Sequence, residues 1–126
     1  MLGQYRVDAT IPAADMQRAR KFYEETLGLG PGEEYDPSNV VYRCGDGTQL
    51  FLFETLGHPG GDHTQAGWTV DDIEAVVQDL RSRGVTLLEY SEGPLKTTNG
   101  IAEMGGARGC WFKDSEGNTL SLIQLA

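Results

Sequence analysis

Hydrophobic and polar residues alternate along the start of the chain with the period of a β-strand. Within residues 5–12, one face carries the apolar residues Val7, Ala9 and Ile11. The opposite face carries Asp8, Thr10 and Pro12. Because neighbouring side chains of a strand point to opposite sides of its sheet, the pattern predicts a first strand with one buried and one polar face.

The period then changes to that of a helix. Asp15 is a typical N-cap residue, and apolar residues follow it at helical intervals, namely Met16, Ala19, Phe22, Tyr23 and Leu27. Gly28 comes next, at the position where helices commonly end in a left-handed residue. The sequence therefore predicts a first helix between Asp15 and Gly28.

A hairpin is predicted after a loop that is rich in glycine, proline and aspartate. Strand-forming residues occupy positions 40–44 and 49–54, on either side of Gly45-Asp46-Gly47. Two such runs around a short glycine-containing segment are typical of a β-hairpin. A further strand is expected near residues 33–35.

The same order of elements begins again after residues 57–63, which contain three glycines and a proline. Residues 65–70 have a strand pattern, and Asp72 caps a second helix that Gly84 ends. The apolar face of this helix consists of Ile73, Val76, Val77 and Leu80. Further strands are predicted at residues 85–90, 110–112 and 118–124, and residues 94–107 are expected to form a long connection.

This repeat predicts the architecture. Each half contains a strand, a helix and further strands, and one half alone cannot cover both faces of its sheet. The expected fold class is α+β, with two βαβββ modules whose curved mixed sheets enclose a cleft and whose helices lie outside. The expected organisation is a single domain over residues 1–126, with modules at about 4–56 and 64–126 and a linker at about 57–63.

Composition and charge exclude some partners. The chain has 126 residues, of which 39% are hydrophobic and 23% charged, as in an ordinary globular protein. No apolar run approaches the ~20 residues of a membrane span, so no membrane partner is expected. The net charge of −9 would repel a phosphate backbone, and the basic residues are scattered, so no nucleic acid is expected either.

The cysteines and the N-terminus indicate a cytoplasmic protein. Residues 1–6 lack the basic and apolar regions of a signal peptide. Cys44 and Cys110 lie far apart without a CxxC pair, which favours reduced thiols over a zinc ribbon or a disulfide framework. We interpret both cysteines as small buried hydrophobic residues.

Two segments resemble the vicinal oxygen chelate superfamily, which includes glyoxalase I, fosfomycin-modifying enzymes, extradiol dioxygenases and bleomycin-resistance proteins. The first is residues 15–23 followed by Leu27-Gly28-Leu29, and the second is residues 112–118 with the pattern Asp-x-x-Gly-Asn. The resemblance covers nearly the whole chain. It implies the fold predicted above and a homodimer, in which the modules pair either within or between chains.

The resemblance also implies where a metal would bind. In the family's enzymes, ligands that are usually His, Gln or Glu come from four places, which here correspond to Asp8, Gln65, Phe51 and Ser121. A divalent ion needs several charged or imidazole donors at about 2.0–2.6 Å, and this set has one carboxylate. We therefore expect no cofactor, with a divalent metal as the alternative. The only two histidines, His58 and His63, match no ligand motif and are interpreted as exposed loop residues.

Strand alternation places a mixed set of side chains on the faces of the sheets that line the cleft. The candidate ligand-binding residues are Asp8, Thr10, Phe51, Phe53, Gln65, Thr69, Trp111 and Ser121. A regular last hairpin would pair Trp111 with Ser121. Aromatic walls with a few polar groups are typical of a small-molecule pocket, although the same rings could fill the cleft as core. Trp68 has the opposite parity and is expected under the helices.

Three functions remain open at this point. The first is a small-molecule-binding protein of the glyoxalase/bleomycin-resistance type with a degenerate metal site, which sequesters an aromatic or cationic organic compound. The second is a lyase, isomerase or dioxygenase that uses non-standard metal ligands or acid/base catalysis by Asp8 or Glu103. The third is an interaction module with a filled cleft. Lys96, Glu103 and Arg108 lie near the long connection and are either contacts of a closing loop or solvated charges.

Overall fold

The computed structural model describes all 126 residues and contains two sheets and two helices. The first sheet consists of β1 (Ala9–Ala13), β2 (Glu33–Asp36), β3 (Asn39–Arg43) and β4 (Gln49–Glu54). The second sheet consists of β5 (Thr64–Thr69), β6 (Thr97–Thr98), β7 (Ile101–Met104), β8 (Ala107–Lys113) and β9 (Thr119–Gln124). The helices are α1 (Met16–Lys21), which continues as a turn of π-helix (Phe22–Thr26), and α2 (Ile73–Ser82).

The two sheets are both mixed and have related topologies. The strand orders are β1-β4-β3-β2 and β5-β9-β8-β7-β6. The first strand of each sheet pairs in parallel with the last, while the remaining pairs are antiparallel. A parallel pair needs a crossover connection, and in each half a helix begins that connection. The α+β fold class with two βαβββ modules is confirmed.

Both helices begin and end at the residues that the sequence indicates. The Asp15 carboxylate accepts a hydrogen bond from the backbone N–H of Arg18 at 3.1 Å, and Asp72 accepts one from Ala75 at 3.2 Å. Gly28 and Gly84 follow the helical segments with φ angles of 73° and 89°, a conformation in which a Cβ atom is disfavoured. Neither helix has the length and apolar composition needed to cross a lipid bilayer.

One buried cluster of 18 residues draws on both halves of the chain. Ile11 and Leu52 enter it from the first sheet, Phe112 and Leu120 from the second, and Val77 from α2. Trp68 packs against this cluster, which confirms the prediction that its side chain lies under the helices. We call the opposite face of each sheet, which is turned away from the buried cluster, its inner face.

The strand predicted at residues 85–90 is wrong. Val85 and Leu87 are buried as the alternation requires, but only Leu87 forms a bridge, to Phe112 of β8. β7 covers β8 only at Ala107–Gly109, and residues 87–88 meet β8 beyond it, where the Leu88 N–H donates to the Trp111 carbonyl at 2.8 Å. The chain then turns to Thr97, whose N–H donates to the Tyr90 carbonyl at 2.8 Å. The segment therefore contributes side chains to the core without joining the sheet as a strand.

The long connection predicted at residues 94–107 is also wrong, because it contains the hairpin of β6 and β7. Asn99 and Gly100 form its turn with φ angles of 53° and 81°. Two successive residues with positive φ are the mark of a tight hairpin turn, for which Asn-Gly is the preferred pair. The first strand is shorter than predicted, since residues 5–8 lie outside β1 and are exposed.

Candidate functional site

The inner face of the first sheet carries aromatic side chains in the middle of its strands. Ile11, Leu50 and Leu52 are buried in the core, so Thr10, Phe51 and Phe53 point the other way. Thr10 lies opposite Phe51 in the register of β1 and β4. Phe51 and Phe53 are half-buried and Thr10 is exposed. The Tyr35 ring of β2 contacts Phe51, with centroids 6.1 Å apart and planes at 66°.

The inner face of the second sheet has a similar aromatic pair. Cys110, Phe112, Leu120 and Leu122 are buried in the core, which turns Trp111 and Ser121 to the inner face. Trp111 lies opposite Ser121, and this confirms the cross-strand pair predicted for the last hairpin. The Tyr90 ring stands at 79° to the Trp111 indole, with centroids 5.7 Å apart. Trp111 and Tyr90 are both half-buried.

Two other candidate residues lie at irregular points of the backbone. Asp8 precedes β1, is exposed, and accepts a hydrogen bond from Arg6 Nε at 3.3 Å. Gln65 is exposed at a β-bulge of β5, where the register with β9 shifts between Thr64 and Ala66. Strict alternation therefore stops at Gln65, and no local residue pattern marks the bulge.

Several polar side chains of the inner faces make no hydrogen bond inside the chain. This group consists of Thr10, Gln49, Thr69 and Ser121, and the exposed Gln65 shares the property. Ser121 Oγ lies against Gly67 of the neighbouring strand, at a point where a Cβ atom would collide with it. These hydroxyl and amide groups retain their capacity to bind an external partner.

The four places that the resemblance assigns to metal ligands hold one carboxylate between them. That carboxylate, Asp8, pairs with Arg6, while Phe51 contacts Tyr35 and Ser121 lies over Gly67. His58 and His63 are exposed in the segment between the sheets. No group of three or more His, Cys, Asp and Glu side chains is arranged so that it could hold a metal ion.

A groove of about 450 Å³ lies where the two sheets approach each other along β1 and β5. Its walls are residues 44–46 and 48–50 of the β3–β4 hairpin, residues 66–69 of β5, and Val7 with Ala9. Of the eight candidate residues, only Thr69 lines it. The structure pairs Thr10 with Phe51 and Trp111 with Ser121, but it does not gather all eight around one hollow of the chain. Their common role in binding stays a prediction.

Glu103 and Arg108 lie on the helix side of the second sheet. The Arg108 guanidinium donates to Glu103 and to Glu74 of α2, both at 3.1 Å. Hydrogen bonds and ion pairs with these carboxylates hold the pKa of Arg108 above its ordinary value. Glu103 and Arg108 therefore point away from the inner face, which removes the proposed acid/base role of Glu103 in the cleft.

Sequence reasoning missed a buried polar cluster at the β8–β9 turn, which we call the latch and define as Asp114, Glu116 and Asn118. Asp114 accepts a hydrogen bond from the Tyr23 hydroxyl at 2.6 Å, and Asn118 donates to the carbonyl of Pro12 at 2.9 Å. The latch thus joins the turn of the second module to the first module. The only signal for it in the sequence was the Asp-x-x-Gly-Asn pattern itself.

Glu116 is the most highly coordinated residue of the latch. Its carboxylate accepts hydrogen bonds from the backbone N–H groups of Ala14 and Asp15, the Arg18 guanidinium and the Ser115 hydroxyl, at 2.7–3.0 Å. Burial by itself would raise the pKa of Glu116. The hydrogen bonds outweigh burial and lower that pKa to about 2.

The latch also changes the titration of Tyr23. This side chain is completely buried and donates to Asp114. Burial, followed by the charge and the hydrogen bond of Asp114, raises the pKa of Tyr23 far above its ordinary value. The phenol therefore stays protonated in the neutral pH range and can donate to Asp114 there.

Comparison with solved structures finds the same fold in many proteins. A member of the Glyoxalase/bleomycin resistance protein/dioxygenase superfamily from Sphaerobacter thermophilus DSM 20745 is 28% identical, with a TM-score of 0.74 and coverage of 98% of this chain and 99% of that one. TnmS3, an antibiotic binding protein from Streptomyces sp. CB03234, is 25% identical, with a TM-score of 0.70 and 98% coverage of both chains.

A more distant structure shares the fold alone. Lactoylglutathione lyase from Agrobacterium tumefaciens is 19% identical, with a TM-score of 0.64 and coverage of 96% of this chain and 93% of that one. A search of the curated proteins finds no match. The family model described as Glyoxalase/Bleomycin resistance protein/Dioxygenase superfamily matches residues 6–122. The chain therefore belongs to this superfamily, as its helix and turn motifs predicted.

Proposed function

We propose that this chain is a small-molecule-binding protein of the glyoxalase/bleomycin-resistance type, which sequesters an aromatic or cationic organic compound. The observation that carries the proposal is the chemistry of the inner faces. They hold half-buried rings beside hydroxyl and amide groups that have no partner inside the chain. Rings supply stacking surface, and free polar groups fix the orientation of a ligand.

The exposure of the rings supports binding over packing. Phe51, Phe53 and Trp111 are less buried than the fully buried core residues Tyr23, Tyr42 and Phe112. An aromatic side chain on the inner face therefore still has apolar area that a ligand could remove from water. Burial of such area stabilises a complex by roughly 25 cal/mol per Å² before the costs of association.

The description of one similar solved structure adds support. TnmS3 is described as an antibiotic binding protein, and it aligns with almost the whole of this chain at 25% identity. Binding without a reaction needs no catalytic residue, which agrees with the candidate set, where no nucleophile lies beside a base.

We also propose that the protein works without a resident divalent metal. The support is the donor set at Asp8, Gln65, Phe51 and Ser121, whose single carboxylate is already paired with Arg6. One charged donor with neutral oxygens holds a divalent ion poorly. Metal analysis after incubation with divalent ions and dialysis tests this point, and one retained ion per chain would contradict it.

A cytoplasmic homodimer is the third part of the proposal. Ahead of β1 the chain exposes Leu2, Tyr5 and Val7, apolar side chains that a second copy would cover. Both cysteines are free thiols, as expected in a reducing compartment. Light scattering coupled to size-exclusion chromatography measures the mass, and a value near the 13.7 kDa of one chain would contradict the dimer.

A thermal-shift screen against ring-containing natural products tests binding. A ligand present at 100 times its Kd adds ~2.7 kcal/mol of stability, which corresponds to a rise in Tm of roughly 10 °C for a chain of this size. Trp111→Leu should abolish the shift. His58→Leu, which replaces an exposed ring outside the inner faces, should retain it.

Two outcomes of the screen would contradict sequestration. The first is the absence of any shift across the collection while the protein is folded. The second is steady consumption of the bound compound, measured by mass spectrometry, since a sequestering protein returns its ligand unchanged.

A further inference from the structure

The charged side chains of the inner faces are already paired inside the chain. Arg43 and Glu33 extend from neighbouring strands, and Arg43 Nη2 donates to Glu33 Oε2 at 3.0 Å. Asp8 pairs with Arg6 at 3.3 Å. On the second sheet, Lys113 Nζ lies 3.6 Å from Asp62 Oδ1 and donates to the carbonyl of Gly61 at 2.6 Å and to Thr119 Oγ1 at 2.7 Å.

Thr119 and Asn39 are hydrogen-bonded within the chain, but four other neutral polar side chains on the same faces are not. Thr10, Gln49, Thr69 and Ser121 make no hydrogen bond within the chain. Three of them offer a hydroxyl group and one an amide, so the set can both donate to a carbonyl and accept from a hydroxyl. The polar groups of the inner faces that remain free to bind a ligand are therefore uncharged.

The aromatic part of the second inner face has a defined shape. A Cβ atom built on Gly109 would lie 3.7 Å from the Trp111 ring atom Cη2 and 2.6 Å from Met104 Cε. The indole thus extends along β8 over a residue without a side chain, and the Met104 methyl fills the adjoining space. With Tyr90 standing at 79° to the indole, the rings form a corner that suits a flat ring.

We infer that the ligand is a neutral, ring-containing compound that carries hydroxyl or carbonyl groups, an inference that rests on the proposed binding function. A charged ligand would have to break an existing ion pair to find a counter-charge, or lose hydration without compensation. An anion would in addition meet the net charge of −9. A neutral ligand meets the free hydroxyl and amide groups without either cost.

Three probes with the same ring and different charge test the inference. They are 2-naphthalenemethanol, which is neutral, 2-naphthalenemethylamine, which is a cation, and 2-naphthoate, which is an anion. Titration followed by NMR of the protein amides gives a Kd for each at neutral pH. We expect the alcohol to bind at least ten times more tightly than either ion, with shifts around Trp111 and Ser121.

The outcomes separate this inference from the proposed function. Tightest binding by the amine or by the naphthoate would overturn the neutral ligand and leave small-molecule binding in place. No binding by any of the three would count against both. A cation that binds through Asp8 would be recognised because Asp8→Asn would remove its advantage, whereas the affinity of the alcohol should not change.

Substitutions at two positions identify the groups responsible. Ser121→Ala removes a free hydroxyl. It should weaken the binding of the alcohol several-fold and have little effect on the binding of the two ions. Gly109→Leu fills the space beneath the indole and should weaken the binding of all three probes. Gly109→Ala is its matched control, because only the flexible end of Met104 has to shift, and it should bind nearly as wild type does. Equal affinities in Gly109→Leu and wild type would overturn the role of the ring corner.

Discussion

The latch and the inner sheet faces use polar side chains in opposite ways. In the latch every side-chain polar atom of Asp114, Glu116 and Asn118 has a partner inside the chain. On the inner faces Thr10 and Ser121 have none. The polar groups of the latch thus stabilise the fold, whereas these hydroxyl groups of the inner faces are free to bind a ligand.

Burial explains why the two regions differ. Glu116 and Asn118 are buried, so an unmade hydrogen bond there would cost roughly 1–3 kcal/mol per group. Thr10 is exposed, and water satisfies its hydroxyl in the absence of a ligand. A substitution should therefore affect stability in the latch and affinity on the inner faces, and the following predictions test that separation.

The largest loss of stability is expected for Glu116→Ala. It removes the acceptor of two backbone N–H groups at the start of α1 and of the Arg18 guanidinium. We expect the free energy of unfolding to fall by about 3–4 kcal/mol, which lowers Tm by more than roughly 10 °C. Urea denaturation measures the change, and a loss below about 1 kcal/mol would show that the latch does not hold the modules together.

The same carboxylate predicts an acid-sensitive fold. Its folded pKa of about 2 lies below the ordinary value of 4.5, so its stabilising contribution is complete above pH 5. The contribution is lost as the pH falls from about 5 to 2, because the unfolded chain takes up the proton first. We expect a loss of about 2–3 kcal/mol over that range.

The matched control for this pH dependence is Glu116→Gln. The Glu116→Gln variant should be less stable than the wild type at neutral pH, but it has no carboxyl group to titrate at this position. Its free energy of unfolding should therefore change less between pH 5 and 2 than that of the wild type. If the free energy of unfolding fell equally with pH in the two proteins, the acid sensitivity would come from other carboxylates.

Local rules were sufficient for the elements that depend on neighbouring residues. The caps Asp15 and Asp72, the glycines that end the helices and the strand Gln49–Glu54 were all predicted correctly. The hairpin at Asn99-Gly100 also carries a local signal, the Asn-Gly pair, although the glycine-rich segment around it predicts a long connection.

The other errors depend on contacts between distant residues. Whether residues 85–90 form a strand depends on how far they follow β8 before the chain turns to Thr97, and the bulge at Gln65 depends on the register with β9. The hydrogen bond from Ala14 to Glu116 spans 102 positions. The turn motif can therefore be recognised in the sequence, but its distant partners cannot. Alternation likewise predicted the pairing of Trp111 with Ser121, but not which inner faces share a hollow.

A smaller loss is expected for Tyr23→Phe. It removes a single hydroxyl, and Asp114 Oδ2 keeps its second donor, Asn118 Nδ2, at 2.9 Å. We expect a loss of about 1–2 kcal/mol, since one buried charge-assisted hydrogen bond disappears while the ring still fills the core. Tyr5→Phe is the control, because Tyr5 is exposed and should be neutral within about 0.5 kcal/mol. Equal stability of the two variants would contradict a structural role for the Tyr23 hydroxyl.

The smallest effect on stability is expected for Ser121→Ala and Thr10→Val, which remove hydroxyl groups without a partner in the chain. Their free energies of unfolding should stay within about 0.5 kcal/mol of the wild type, as for surface substitutions in general. Urea denaturation under the conditions used for Glu116→Ala makes the comparison direct. A loss above about 1 kcal/mol would mean that the fold itself uses these hydroxyls. In that case the inner faces would resemble the latch, with hydroxyl groups that serve the fold and not a ligand.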